Sequence, residues 1–249
     1  MGKNPYCGEQ RLNTPGTELN RILEIIGRIA ETTADGDFIY RGEPEHYEKV
    51  SSSLWRECKN VLETEEFDIE AIQKRMLEAS KDYTHEEDDF EILTELQHYG
   101  GHTNLIDFTT DNHIALFFAC DGSPDKPGRI ILFQRTEEIN EEYKIRKPQN
   151  PRNRVIAQKS IFVQPPKGFL DLKKYEVIDT PQSLKEPMLD HLQKQHGIST
   201  QAVYNDLHGF IRNQSIHQKT YIEGFRVGTQ PKEDVFQIAP SQPSDKKEM

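Results

Sequence analysis

The chain has 249 residues, with 31 Lys and Arg against 42 Asp and Glu and a formal net charge of −11 at pH 7. With 34% hydrophobic and 29% charged residues, it suits one large globular domain with a modest core and polar ends. The acidic balance argues against a surface that contacts nucleic-acid phosphates broadly, because such contacts need Lys and Arg. It does not exclude a local basic pocket.

Cysteine usage and hydropathy bear on the cellular setting. Cys7, Cys58 and Cys120 are odd in number and lack CxxC spacing, which indicates free thiols in a reducing compartment. Cys120 ends an apolar run, so we expect a core residue rather than a nucleophile. No signal-peptide pattern opens the chain, and no run approaches the ~18 apolar residues of a membrane span. We therefore expect a cytoplasmic protein with no membrane partner.

The first half of the chain predicts mainly helices. Hydrophobic spacing predicts helices from Thr17, from residue 52, over 68–82, over 87–99 and over 113–120. Short runs of apolar residues bounded by turn residues predict strands over 37–42 and 105–108. Gly100 and Gly101 must end the helix of residues 87–99. Asp111 or Asn112 is expected to cap the helix that follows.

The second half predicts more strands. We expect strands over 128–134, 155–164 and 173–179, a loop or mobile insertion over 136–153, and helices over 183–196 and 199–212 separated by Gly197. The fold class is therefore α+β, with one domain over residues 16–230. A flexible N-terminal arm over 1–15 and a disordered tail over 231–249 complete the chain.

Arg41 is the first candidate binding residue. It lies at the end of a predicted strand, directly before Gly42. The planar fork of guanidinium donors suits a phosphate or a carboxylate, and a glycine lets a ligand approach the backbone. The alternative is a surface ion pair with Glu43 or Glu45, and the sequence leaves both interpretations open.

Residues 98–110, HYGGHTNLIDFTT, hold two histidines at a spacing that resembles a zinc site. Gly100 and Gly101 lie between His98 and His102, so one helical face cannot present both imidazoles. We therefore expect no metal. His98 is expected to line a pocket as a hydrogen-bond donor.

Asp107 and the two threonines that follow it are the next candidates. A carboxylate in an apolar stretch needs a partner, which is either the N–H groups of the next turn or an arginine such as Arg41 or Arg154. Asp107 is accordingly either a turn-stabilising residue or a catalytic one. Thr109 and Thr110 either cap the next helix or place a hydroxyl in a cleft.

Polar residues recur in the segment RVIAQKSIF. Arg154, Gln158 and Ser160 have the same parity, so on a strand they point to one face. Such a face is either a polar cleft wall or the solvent side of an edge strand.

Several of these segments together resemble one family. The segments are FIYRG at 38–42, SSLWR at 52–56, residues 96–119, RVIAQKSIF at 154–162 and residues 191–210. They resemble the FRG (Phe-Arg-Gly) domain, and they follow the family's order over residues 36–212. The chain departs from the pattern at Tyr40, where the name has Phe, and at Asn104, where an arginine is expected.

A second and weaker resemblance is to the ADP-ribosyltransferase core. The order of a Y-R-G strand, a hydroxyl pair before an AxxFA-type helix and a later polar strand is similar to that superfamily. The resemblance implies a small, split, mostly antiparallel sheet with surrounding helices, and NAD as the substrate. It implies that Arg41, Thr109 with Thr110, and Gln158 take the places of that superfamily's site residues. Combined with the candidates above, it predicts catalytic roles for Arg41, Asp107 and Gln158, and NAD contacts from Arg41, Gly42, His98, Thr109, Thr110 and Arg154.

These resemblances imply an ADP-ribosyltransferase-like or NAD-cleaving enzyme in a bacterial or phage conflict system, with a protein or nucleic acid as acceptor. Gln158 stands where the superfamily has a glutamate, and a neutral amide cannot stabilise an oxocarbenium-like charge. Either Asp107 or another acid supplies the carboxylate, or the domain is a non-catalytic module that binds a nucleotide or a protein. A metal-dependent nuclease is disfavoured, because the acids at 86–91 fit a solvated helix start.

Overall fold

The structure is a computed structural model that describes residues 15–149, 151, 153–212, 214, 218 and 222. The chain divides into two compact units, residues 1–204 and residues 205–249. The boundary between them falls inside the predicted domain of residues 16–230. The predicted arm, apart from Pro15, and the predicted tail lie outside the described residues.

An antiparallel sheet of five strands, in the order β4-β2-β1-β3-β5, forms the centre of the larger unit. The strands are β1 (Phe38–Glu43), β2 (Ile106–Thr109), β3 (Gly128–Gln134), β4 (Ser160–Val163) and β5 (Tyr175–Thr180). β1 pairs with β3 along its whole length, whereas β1 and β2 share only the pair Tyr40–Thr109. β1 and β2 therefore join at a single paired position, which is called the split in the sheet below, and the predicted α+β class with an antiparallel sheet is confirmed.

Nine helices of the larger unit surround this sheet in the part of the chain that the structure describes. They are α1 (Pro15–Thr32), α2 (Ser53–Leu62), α3 (Ile69–Ser80), α4 (Asp89–His98), α5 (Asn112–Cys120), α6 (Glu137–Tyr143), α7 (Asn153–Ala157), α8 (Lys185–His196) and α9 (Thr200–Val203). The smaller unit contributes α10 (Leu207–Arg212). None of the described helices has the length and apolar character needed to cross a membrane.

Side-chain caps explain where several of these helices begin. Ser52, Asp68, Asp88 and Asp111 each accept a hydrogen bond from a backbone N–H in the first turn of the helix that follows. The left-handed Gly100, with φ of +90°, follows the end of α4 as predicted.

The core lies on both faces of the sheet. One face packs against α1, α5 and α8, and within α5 the side chains of Leu116 and Phe117 are almost completely buried. The other face is covered by Ile139 and Tyr143 of α6 and by Leu170. Smaller clusters around Leu93 and Trp55 join α2, α3 and α4 to this unit. These contacts fix the helices that line the site described below.

Three predictions about the second half are wrong. The loop expected over 136–153 contains α6, because Thr136 caps a helix whose Ile139 and Tyr143 are buried four residues apart. The strand expected over 155–164 begins as α7, turns at Lys159 with φ of +47°, and becomes β4 only from Ser160. The helix expected over 199–212 is two short helices, α9 and α10.

Candidate functional site

Two adjoining cavities lie at the split between β1 and β2. The first, of about 250 Å³, is lined by residues of β1, α4, β2, α5, α7 and β4. The second, of about 240 Å³, is lined by residues around the start of α2 and the loop after α4. Arg41, Gln97 and Asp107 line both, and the two cavities together are called the cleft below.

Most of the predicted site residues come together here. The first cavity is lined by Arg41, Gly42, His98, Asp107, Thr109, Arg154 and Gln158, together with Tyr40, Phe118 and Phe162 among others. Thr110 lines neither cavity, and its backbone N–H donates to the Lys159 carbonyl at 3.2 Å.

Arg41 bridges the split in the sheet. Its Nη1 donates to the Asp107 carbonyl oxygen at 2.9 Å, across the gap where strand pairing has stopped. Its Nε donates to Glu43 Oε1 at 3.0 Å. Glu43 is only 2% exposed, and its other oxygen accepts from Arg129 Nε at 2.8 Å. Arg41 therefore does pair with Glu43, but that carboxylate is buried and fixes the guanidinium at the cleft.

A chain of hydrogen bonds orients the carboxylate of Asp107. Gln97 Nε2 donates to Asp107 Oδ2 at 2.7 Å, and Gln97 Oε1 accepts from the Thr103 hydroxyl. The Asp107 side chain is exposed to the cleft. Desolvation by the walls of the cleft nevertheless raises the pKa of Asp107, against the opposing charges of Arg41 and Arg154. A carboxyl group with a raised pKa in a cleft is suited to proton transfer.

Arg154 and Gln158 both line the first cavity, but a helical turn and not the predicted strand parity places them on one side. They lie in α7 and the turn after it, four residues apart, so a helical turn places them on the same side. Gln158 Nε2 donates to the Val203 carbonyl at 3.2 Å, and the Arg154 guanidinium lies 5.1 Å from the centre of the Tyr204 ring. Both side chains therefore connect the cavity wall to the segment that contains α9.

Gly42 and Thr109 have structural roles beside the cavity. A Cβ on Gly42 would lie 1.9 Å from the Ala115 carbonyl oxygen, so the glycine is needed for the close approach of α5 to β1. Close packing is thus a structural reason for a glycine at this position, beside the ligand approach that the sequence predicts. The Thr109 hydroxyl accepts from Asp111 N at 3.0 Å and so stabilises the turn that leads into α5.

The two histidines of residues 98–110 line different cavities. His98 lines the first, with its ring 5.2 Å from that of Tyr99, and His102 lines the second. Within the described ranges, no group of three or more His, Cys, Asp or Glu residues is placed to hold a metal ion.

Gln97 and Arg56 are lining residues of the cleft whose local sequence carries no mark of a site role. Arg56 lines the second cavity and donates from Nη1 to the Ser51 carbonyl at 2.6 Å. Both residues lie within segments that carry the FRG resemblance, and this resemblance was the only sequence signal that could have pointed to them as site residues. Asn104, where the resemblance leads one to expect arginine, is buried and donates to the Pro165 carbonyl at 2.9 Å, and it lines neither cavity.

Comparison with known proteins identifies one region. Residues 36–127 match the family model of the FRG domain. No curated protein and no solved structure matches the chain significantly. The matched region contains β1, α2 to α5 and β2, and therefore the arginine, glutamine and carboxylate that are common to both cavities.

Proposed function

We propose that the cleft of this chain, whose residues 36–127 match the FRG domain, binds a nucleotide of the NAD type and cleaves or transfers the ADP-ribosyl group. The observation that carries this proposal is the position of Arg41, whose guanidinium spans the split in the sheet and faces both cavities. In a chain with a net charge of −11, a fixed guanidinium in a cleft favours an anionic ligand such as a phosphate.

The walls of the first cavity support the same assignment. Tyr40, Phe118 and Phe162 provide aromatic surface for a planar base, and Arg154 adds a second positive charge. Gln158 supplies an amide that suits hydrogen bonds to ribose hydroxyls. The first cavity is therefore suited to a nicotinamide ring with its ribose.

Asp107 is the proposed catalytic group. The bond from the ribose C1′ to the nicotinamide nitrogen breaks, and neutral nicotinamide leaves with the bonding electrons. The carboxylate stabilises the oxocarbenium-like charge that develops on the ribose. Water or an acceptor nucleophile then adds to C1′ and gives its proton to Asp107. The identity of the acceptor and a role in bacterial or phage conflict stay predictions.

One observation favours binding without turnover as the alternative. Gln158 is neutral, and its amide already donates to the Val203 carbonyl. It therefore cannot replace a glutamate as the charge that stabilises the transition state. A nucleotide-binding module that does not react is the expected function if Asp107 does not take over that role.

Titration calorimetry with NAD, combined with chromatographic detection of released nicotinamide, tests the proposal. We expect Arg41→Ala to weaken NAD binding by about ten- to a hundredfold, since it removes charge-assisted hydrogen bonds, and Arg41→Lys to restore only part of the affinity. The matched control is Arg75→Ala on α3, where an 85% exposed side chain pairs with Glu78. Absence of NAD binding to the wild-type protein would exclude the proposal, and binding without release would favour the module.

A further inference from the structure

The second cavity has no role in the chemistry described so far. It is lined by Arg56 and His102 and shares Arg41 and Asp107 with the first cavity. A ligand held at Arg41 therefore has a polar space on either side of it. Small-molecule sites commonly measure roughly 300–1,000 Å³. At about 250 and 240 Å³, each cavity is too small for a whole dinucleotide.

Charge distinguishes Arg56 from the other arginine of this cavity. Arg41 is paired with the buried carboxylate of Glu43. Arg56 donates to the neutral Ser51 carbonyl, and among the described residues no carboxylate lies within ion-pair distance of it. Its positive charge is therefore not neutralised by a fixed partner in the part of the chain that the structure describes.

Arg41 and Arg56 are close enough to influence each other. Burial lowers the pKa of Arg56, and the positive charge of Arg41 lowers it further, against the opposing charges of Glu43 and Asp107. Two guanidinium groups at one cavity repel, and an anion placed between them removes that repulsion while it accepts hydrogen bonds from both. A phosphate group, with several acceptor oxygens and negative charge, has the chemistry that this arrangement recognises.

We propose that the second cavity binds the adenylate half of the dinucleotide through Arg56, while the first cavity holds the nicotinamide mononucleotide half and Arg41 lies beside the diphosphate. The proposal rests on the function proposed above and adds a subsite to it. It predicts that the two halves of NAD bind separately and depend on different arginines.

Titration calorimetry with three probes, NAD, AMP and nicotinamide mononucleotide, tests the subsite. We expect Arg56→Ala to weaken NAD and AMP binding by about tenfold or more and to leave nicotinamide mononucleotide within about twofold of wild type. Arg56→Lys keeps the positive charge and should give intermediate affinities. Arg75→Ala, which removes an exposed arginine on α3, should bind all three probes as wild type does. Melting temperatures check that each variant is folded.

The outcomes separate the subsite from the proposed function. Wild-type affinity of Arg56→Ala for NAD and AMP overturns the subsite and leaves the proposed function intact. An equal loss of all three probes in both Arg56 variants also overturns it, because Arg56 would then act on the whole cleft. If the wild-type protein binds neither NAD nor nicotinamide mononucleotide, the proposed function fails, and Arg56-dependent binding of AMP alone would still establish an adenylate site.

Discussion

At the scale of single residues, Glu43 determines where Arg41 lies. Its buried carboxylate accepts from Arg41 at 3.0 Å and from Arg129 at 2.8 Å. Glu43→Gln keeps the size of the side chain but leaves two guanidinium groups without a counter-charge. Since breaking a buried ion pair costs about 3–5 kcal/mol, we expect the free energy of unfolding to fall by a similar amount, measured by urea denaturation.

An exposed glutamate provides the comparison for that variant. Glu48 is 76% exposed and lies 3.5 Å from Lys59 Nζ. Glu48→Gln should change the free energy of unfolding by less than about 1 kcal/mol, since solvent screens an exposed pair. A similar fall in the free energy of unfolding of the two variants would show that the buried Glu43 pairs stabilise the fold no more than the exposed Glu48 pair.

Asp107→Asn tests the catalytic carboxyl of the proposed function. Asparagine still offers an oxygen to Gln97 Nε2, but it cannot accept a proton. We expect nicotinamide release to fall by about 10²–10⁴-fold, with NAD still bound. Because desolvation in the cleft raises the pKa of Asp107, wild-type release should increase with pH through a range above the ordinary aspartate pKa, and the variant should lack this step. Unchanged release in Asp107→Asn would remove Asp107 from the mechanism.

At the scale of elements, the contact between β1 and α5 depends on Gly42. A Cβ there meets backbone atoms of Ala115 and Ala119 that have no freedom to rotate away. We expect Gly42→Ala to lower the free energy of unfolding by at least about 1–3 kcal/mol through overpacking. Gly27 lies within α1 and has open space around it, so Gly27→Ala should raise stability by about 0.4–1 kcal/mol. Chemical denaturation of both variants gives the comparison, and a Gly42→Ala protein of wild-type stability would contradict it.

The start of α5 gives a pH-dependent prediction. Hydrogen bonds from His113, and then from Lys159, hold the pKa of Asp111 well below its usual range. A carboxyl whose pKa is lower in the folded state adds stability above its unfolded pKa of about 3.9 and loses it as the pH falls. Asp111→Asn keeps a capping oxygen but not the charge, so its loss of stability relative to wild type should be larger at pH 7 than at pH 3. Asp111→Ala should cost about 1 kcal/mol more at both pH values, because it also removes the cap. Urea denaturation at the two pH values measures both effects, and equal losses in Asp111→Asn would refute the charge contribution.

The elements that could be predicted are those with local signals. α4 and α5 begin at aspartate caps, and Gly100 follows the end of α4, so the predicted ranges lie within about two residues of the observed bounds. α7 could not be separated from a strand, because a spacing of four residues between Arg154 and Gln158 satisfies both a helical period and a strand period. α6 was missed because only Ile139 and Tyr143 mark its buried side in an acidic segment.

The site residues also divide into those that have a local sequence signal and those that do not. Arg41 could be proposed because it ends a predicted strand directly before a glycine, and Asp107 because it is a carboxylate inside an apolar segment. Gln97 and Arg56 could not, because they reach the cleft only through the packing of α2 and α4 around Thr103, whose carbonyl accepts from Leu54 N at 3.2 Å. Such contacts join residues about 50 positions apart and leave no local pattern.

At the scale of the whole molecule, the cleft and the core belong to the larger unit. Among the residues that the structure describes, the buried clusters on both sheet faces and the lining of both cavities precede residue 205. The segment that closes this unit is also part of it, since Val203 and Tyr204 are buried and Tyr204 Oη donates to Asp121 at 2.8 Å. The described residues of the larger unit therefore contain both the core clusters and the lining of both cavities.

A chain that ends at Tyr204 should consequently keep a single cooperative unfolding transition. Under the proposed function, its NAD affinity should stay within about threefold of that of the full chain, a difference of less than about 1 kcal/mol in binding free energy. A chain that ends at His196 is the matched control. It lacks the Val203 carbonyl that binds Gln158 and the Tyr204 ring beside Arg154, so it should melt at a lower temperature and lose affinity. Calorimetric melting and NAD titration of the two chains measure both effects. Loss of cooperative unfolding in the chain ending at Tyr204 would show that the larger unit depends on residues 205–249.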